Sequence, residues 1–307
     1  MNTLRLPNSA PRPLAARDLA SVAAIDAALS GRSRRGYFER RLAAAQRDPG
    51  RHIQLAIDED GAIAGFMLGR LLEGEFGRSE PGIRLEAFGV RAAAQGHGLA
   101  GALAAVFERE AAKAGAREIR TTARWREHSL LRFLDRRGYA LAGSHVLERR
   151  TGEDLAPEAR DEIACATLGN TDLEGIARID RRHAGRDRSA FLGRSLREAL
   201  EDSAVRVSLA ARLDGGLAGF LMARLDYGDF GRAEPAAVID AIGVDPLRAR
   251  QGIGRALLSQ LLINLRGLGV ERAETIVPAG SASLPLAGFF YGAGFVPSER
   301  LAFAKRL

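Results

Sequence analysis

Ile239-Asp240-Ala241-Ile242-Gly243-Val244-Asp245-Pro246-Leu247-Arg248-Ala249-Arg250-Gln251-Gly252-Ile253-Gly254-Arg255-Ala256-Leu257-Leu258 changes character twice. A short apolar run opens it, as in a strand. A basic turn with two glycines follows. Leu257 and Leu258, then Leu261 and Leu262, recur at helical spacing. A strand, a turn rich in backbone N–H groups and a helix N-terminus make an anion site, because unpaired amides and the helix dipole both favour negative charge there.

The design occurs earlier as well, in Leu85-Glu86-Ala87-Phe88-Gly89-Val90-Arg91-Ala92-Ala93-Ala94-Gln95-Gly96-His97-Gly98-Leu99-Ala100-Gly101-Ala102-Leu103. Val90 and Val244 lie 154 positions apart, as do Gly98 and Gly252. The same offset relates Ile25-Asp26 to Ile179-Asp180, Ala64-Gly65-Phe66 to Ala218-Gly219-Phe220, and Phe76-Gly77-Arg78 to Phe230-Gly231-Arg232. A constant offset this long is the mark of a duplicated domain, not of a solenoid.

At these residues the chain resembles the GCN5-related N-acetyltransferase (GNAT) superfamily, whose pyrophosphate turn reads Gln/Arg-x-x-Gly-x-Gly/Ala after a strand ending in Val. Gln95-Gly96-His97-Gly98-Leu99-Ala100 fits it. Ala249-Arg250-Gln251-Gly252-Ile253-Gly254 departs at its first position, where Ala stands for Gln or Arg, although Arg248 and Arg250 flank it. The resemblance implies an α/β (α+β) fold of two tandem GNAT domains, residues 1–150 and 151–307, each a mostly antiparallel central sheet flanked by helices. It implies acetyl-CoA held by Phe88, Val90, Gln95, Gly96, His97, Gly98, Leu99 and Ala100 in the first half. Ile242, Val244, Arg250, Gln251, Gly252, Ile253, Gly254 and Arg255 do the same in the second. A dinucleotide fingerprint needs a third glycine and a turn after the first strand of its unit; neither condition is met.

The 307 residues suffice for two ordinary domains, and 46% apolar with 27% charged residues is a globular composition. Cys165 is the sole cysteine and the histidines are scattered, which argues against a disulfide or a metal centre. No apolar run reaches the roughly 18 residues of a membrane span, and the N-terminus has no apolar signal core, so a cytoplasmic location is expected. The net charge of +7 admits a nucleic-acid partner. With few aromatic residues and no known module, the expectation is no nucleic acid and no membrane.

Each half reads as strand, two helices, a hairpin, the strand into the anion turn, a long helix, and a final strand–helix–strand. Asp60-Gly61 and Asp214-Gly215 are hairpin turn signals. Asp18 and Asp172 read as helix N-caps, and Gly115 and Gly269 as helix stops. The expected final strands span 142–149 and 299–305. The halves are expected to pack as a pseudo-dimer.

Acyl transfer to an amine needs a base, donors for the developing oxyanion and an exit for the thiolate. In the family the oxyanion donor is a backbone N–H on the strand before the turn, and Gly89 and Gly243 are read as allowing a bulge there. Glu86 and Asp240 are the candidate bases. Alternation places them on the face of Phe88 and Ile242. The family's proton donor is a Tyr of the last helix, where this chain has Leu134 and Phe290; Tyr291, one position on, is the substitute. Arg32, Arg34 and Arg78, with Arg186, Arg188 and Arg232, are the candidate acceptor-binding groups, which would favour a small-molecule amine that also carries an acid. The rival readings are a coenzyme A-binding sensing or structural module with inactive domains, and a protein N-acetyltransferase.

Overall fold

The structure is a computed structural model and describes residues 10–72, 80–152, 163–226 and 235–307. The first repeat runs β1 (Arg12–Pro13), α1 (Leu19–Ser30), α2 (Arg35–Arg47), β2 (His52–Glu59), β3 (Ala62–Leu72) and β4 (Gly82–Val90). It continues with α3 (Leu99–Lys113), β5 (Glu118–Arg124), α4 (His128–Arg136), β6 (Ala140–Leu141) and β7 (Ser144–Arg150). The second repeats the order: β8 (Ala164–Thr167), α5 (Leu173–Ala184), α6 (Ser189–Glu201), β9 (Leu209–Leu213), β10 (Gly216–Asp226) and β11 (Ala236–Val244). Then come α7 (Ile253–Gly267), β12 (Arg272–Pro278), α8 (Leu284–Gly292), β13 (Val296–Pro297) and β14 (Arg300–Arg306). This is the expected α/β architecture of two mixed sheets.

The hairpins form as their sequences demand. Asp60 and Asp214 take φ of 53° and 52°, with Gly61 and Gly215 also positive, so each Asp-Gly pair turns left-handed to match the strand twist. Asp18 and Asp172 differ from expectation. Neither side chain caps the helix that follows. Each carboxylate accepts instead from an amide three residues back, Ala15 at 2.8 Å and Gly169 at 2.9 Å, and so ties down the turn before the helix.

The sheets do not follow the break between the repeats. Sheet order is β1-β2-β3-β4-β5-β14-β6 in one and β13-β7-β12-β11-β10-β9-β8 in the other. Each repeat therefore sends its last long strand into the other's sheet. β14 pairs antiparallel with β5 from Arg300↔Arg124 to Arg306↔Glu118, and β7 pairs with β12 from Ser144↔Pro278 to Arg150↔Arg272. The crossing strands are anchored on arrival: Arg300 donates to the Thr122 hydroxyl at 2.6 Å, and the Thr151 hydroxyl donates to the Val270 carbonyl at 2.6 Å. Beyond the strands, Arg47 pairs with Asp202, and Arg70 with Glu198.

Each sheet buries both faces. In the first, Ile83, Leu85, Leu103 and Phe107 fill the α3 side, while Phe38, Phe66, Leu68 and Ala87 fill the side of α1 and α2. In the second, Ile239, Leu257 and Leu261 fill the α7 side, while Ile176, Leu196, Phe220 and Met222 fill the side of α5 and α6.

Candidate active site

β4 and β5 run parallel but pair only at Gly82↔Glu118, Ile83↔Ile119 and Arg84↔Arg120. Both strands continue past that point, so they splay. β11 and β12 do the same after Ile239↔Thr275. A threonine hydroxyl closes each fork: Thr121 donates to the Leu85 carbonyl and Thr275 to the Ile239 carbonyl, both at 3.1 Å. Sequence reasoning missed these threonines, although Thr121 and Thr275 keep the 154-residue offset.

The bulge falls at the fork, but not at Gly89 or Gly243. Leu68 faces Ala87 and Gly69 faces Leu85, which leaves Glu86 as the extra residue; Met222 and Ala223 likewise bracket Asp240. A bulge inserts one residue and shifts the alternation. Glu86 therefore does not share a face with Phe88. It meets Arg41 of α2, whereas Phe88 packs on the α3 side, against Phe133 at 4.9 Å between ring centroids. Gly89 and Gly243 have a different task. A Cβ at either would lie within 3 Å of a Phe66 or Phe220 ring carbon.

The two candidate carboxylates differ. Glu86 is sealed, 4% exposed, with Arg70 at 2.8 Å and Arg41 at 3.7 Å. Asp240 accepts from both Nε and Nη2 of Arg224, at 2.6 and 3.0 Å, and its side chain keeps 23% exposure. Burial alone would raise the Asp240 carboxyl. The Arg224 charge and hydrogen bonds, with Arg70 and Arg84 behind, outweigh burial and hold it below the usual range. Asp240 is thus ionised at neutral pH. Such a group holds an ammonium or orients water more readily than it takes a proton outright.

Beyond each fork lies the glycine turn. Gly96, Gly98 and Gly252 have φ of 87°, 81° and 82°, and Arg250, the counterpart of Gly96, takes 62°. Gly98 and Gly252 are the N-caps of α3 and α7; neither helix has a side-chain cap or an acidic residue in its first turn. The orphan amides of each first turn are thus left without a side-chain acceptor, next to a positive helix end. Leu99 and Ile253 begin the helices as buried anchors, while Ala100 and Gly254 keep the next position small.

The side chains of the turns serve structure first. Gln95 donates to the Val90 carbonyl at 3.1 Å, and His97 contacts Glu59 at 2.8 Å. Ala249 stands where Gln95 does, and His183 of α5 takes over: its Nε2 meets the Val244 carbonyl at 2.7 Å. The strand end keeps a partner in both halves, supplied from different elements. Gln251 and Arg255 are half-buried beside the second turn.

The other predicted groups separate. Phe290 is fully buried with Phe295 in the core, as Leu134 is in the first half, and Tyr291 is 44% exposed on α8. Arg34 and Arg188 are corrections to the acceptor assignment. Their forks are taken by Asp26 and Asp180, with Nε contacts of 2.8 and 2.9 Å, and each stacks on an aromatic ring of the following helix. Asp26…Arg34 and Asp180…Arg188 have the same spacing in both repeats, a signal the sequence did carry. Arg32 and Arg186 are exposed. Arg78 and Arg232 lie outside the described residues. Among the described residues no His, Cys, Asp and Glu group could hold a metal, and no helix is long and apolar enough to cross a membrane.

Comparison with known proteins agrees with this geometry. The sequence model of the Acetyltransferase (GNAT) family matches residues 20–139 and 174–289, and the chain belongs to that family. Among solved structures it resembles a tandem GNAT protein from the clavulanic acid biosynthesis pathway, at TM-score 0.66 and 15% identity over 97% of this chain and 98% of that one. A GCN5-related N-acetyltransferase from Sphaerobacter thermophilus gives TM-score 0.61 and 18% identity over 98% and 96%. A GCN5-related glucosamine N-acetyltransferase region of a fungal multi-domain β-N-acetylglucosaminidase gives 0.65 and 15% over 97% and 38%. At these identities the likeness is one of fold. No curated protein matches the sequence.

Proposed function

We propose that the chain is an acetyl-CoA-dependent N-acetyltransferase acting on a primary amine of a small molecule. One observation carries the reading: a parallel ladder that forks, with an uncapped glycine turn at the far end of the forked strand. Acetyl-CoA supplies the thioester. The turn amides at Gly98 and Gly252 suit its pyrophosphate, and the open edge of β4 or β11 offers backbone N–H groups where an oxyanion develops. Asp240 holds the acceptor's ammonium and orients a water, which takes the ammonium proton before the amine attacks the thioester. A thiol with a pKa near 8.5 leaves without an acid, so Phe290 in place of a Tyr is compatible with turnover. The repeats 1–150 and 151–307 act as an internal pseudo-dimer in the cytoplasm.

The test is release of free thiol from acetyl-CoA with an amine panel. Turnover that falls at least tenfold in Asp240→Asn and little in Tyr291→Phe is expected. A second reading, a coenzyme A-binding module, is favoured by the loss of the Tyr hydroxyl in both halves. It predicts calorimetric binding of acetyl-CoA with no thiol released for any amine.

A further inference from the structure

A cavity of about 60 Å³ lies on the seam where the two sheets meet, and its walls come from both repeats. The first repeat contributes Arg84, Arg120, Thr121 and Thr122; the second contributes Asp240 and a wall of Val238, Ile239 and Ile276. Most of its lining is apolar, with a few convergent polar groups, the usual make-up of a small-molecule site.

The charges in it are not symmetric. At the 154-residue offset Arg84 becomes Val238, Arg120 becomes Glu274 and Thr122 becomes Ile276. Glu86, the counterpart of Asp240, is locked between Arg70 and Arg41. A cavity near a pseudo-twofold would carry matched charges had the repeats stayed alike. Here the cations come from one repeat and the carboxylate from the other. Arg120 also pairs with Glu118, which orients its guanidinium. Each oxygen of Asp240 accepts once from Arg224 and retains lone-pair capacity.

We propose that this seam cavity binds a compact amino acid, with the ammonium at Asp240 and the carboxylate at Arg84 and Arg120. The size bounds the ligand. At roughly 10–15 Å³ per water-sized site, the volume admits about four to six non-hydrogen atoms, the size of glycine or β-alanine. Groups of both signs line this one small cavity, so a ligand carrying both an amine and an acid engages both. Taken as the acceptor pocket of the second repeat, the site rests on the transferase reading; as a binding site it stands without it.

Calorimetric titration of the whole chain decides it, with glycine, β-alanine, β-alaninamide, propionate and propylamine as probes. The expected result is binding of a zwitterion at least tenfold tighter than of the three singly charged probes, lost in Asp240→Asn and in Arg120→Gln. Ile276→Phe, which fills the cavity without touching charge, should also abolish it. Absence of zwitterion binding by the wild type overturns the proposal. So does equal affinity for the amide or for propionate, or binding that survives Ile276→Phe. An acetyl-CoA titration of the same protein is read separately: its failure removes the transferase reading and leaves amino-acid binding standing.

Discussion

Arg34 and Asp26 show how a charge can look functional and be structural. Both side chains are nearly dry, at 1% and 6% exposure. Removing one partner leaves the other buried and uncompensated, which typically costs about 3–5 kcal/mol. Arg34→Ala should therefore lower stability by that amount in urea denaturation, while exposed Arg32→Ala should change it by less than about 0.5 kcal/mol. A titrating residue sits nearby. His52, at the start of β2, is held below its ordinary value of 6.5 by burial first, with Arg70 and Arg41 adding to it and Glu86 and Glu198 opposing. Its folded form prefers to be neutral. The stability this represents is present above the ordinary value and lost as the pH falls through the folded one. The urea midpoint should decline below about pH 6.5, and His52→Gln should flatten the upper part of that decline. The Asp–Arg spacing was legible in both repeats. The setting of His52 was not, because the charges around it, Glu86, Arg70, Arg41 and Glu198, come from four other elements.

The forked strand pair and the glycine turn form the element that positions the chemistry. A Cβ at Gly252 would meet nothing within 4 Å, so only its positive φ resists substitution. Gly252→Ala should cost about 1–2 kcal/mol of stability and leave acetyl-CoA affinity within a few-fold. Gly252→Asp adds a carboxylate at the anion site and should weaken acetyl-CoA binding to the second repeat at least tenfold in calorimetry. Equal behaviour of the two variants would remove the turn from the binding site. The turn, the strand before it and the helix after it could be read from residue order, since each leaves a periodic or glycine signature. The bulge could not. It adds one residue at Glu86 and Asp240 and changes no composition, so simple alternation put both carboxylates on the wrong face.

At the scale of the molecule, β7 and β14 make the two sheets one folding unit. Heat should unfold the chain in a single transition whose calorimetric and van't Hoff enthalpies agree, although the sequence divides into two repeats. Two separated transitions would show that the exchanged strands do not couple the sheets. The duplication was plain in the constant offset. The exchange was invisible, because β7 and β14 hold the same place in the order of elements and residue order does not say which sheet a final strand joins. The crossing also orders events in time. The edge of β5 is made early, yet its native neighbour, β14, is synthesised only after residues 125–299. At the usual 5–20 residues per second, that edge waits about 10–35 s on the ribosome. Meanwhile β7 emerges beside it and can fill the place reserved for β14. The nascent chain must then either keep a bare sheet edge or undo a pairing, and a chaperone that shields strand edges would matter more for this protein than for either repeat closed on itself.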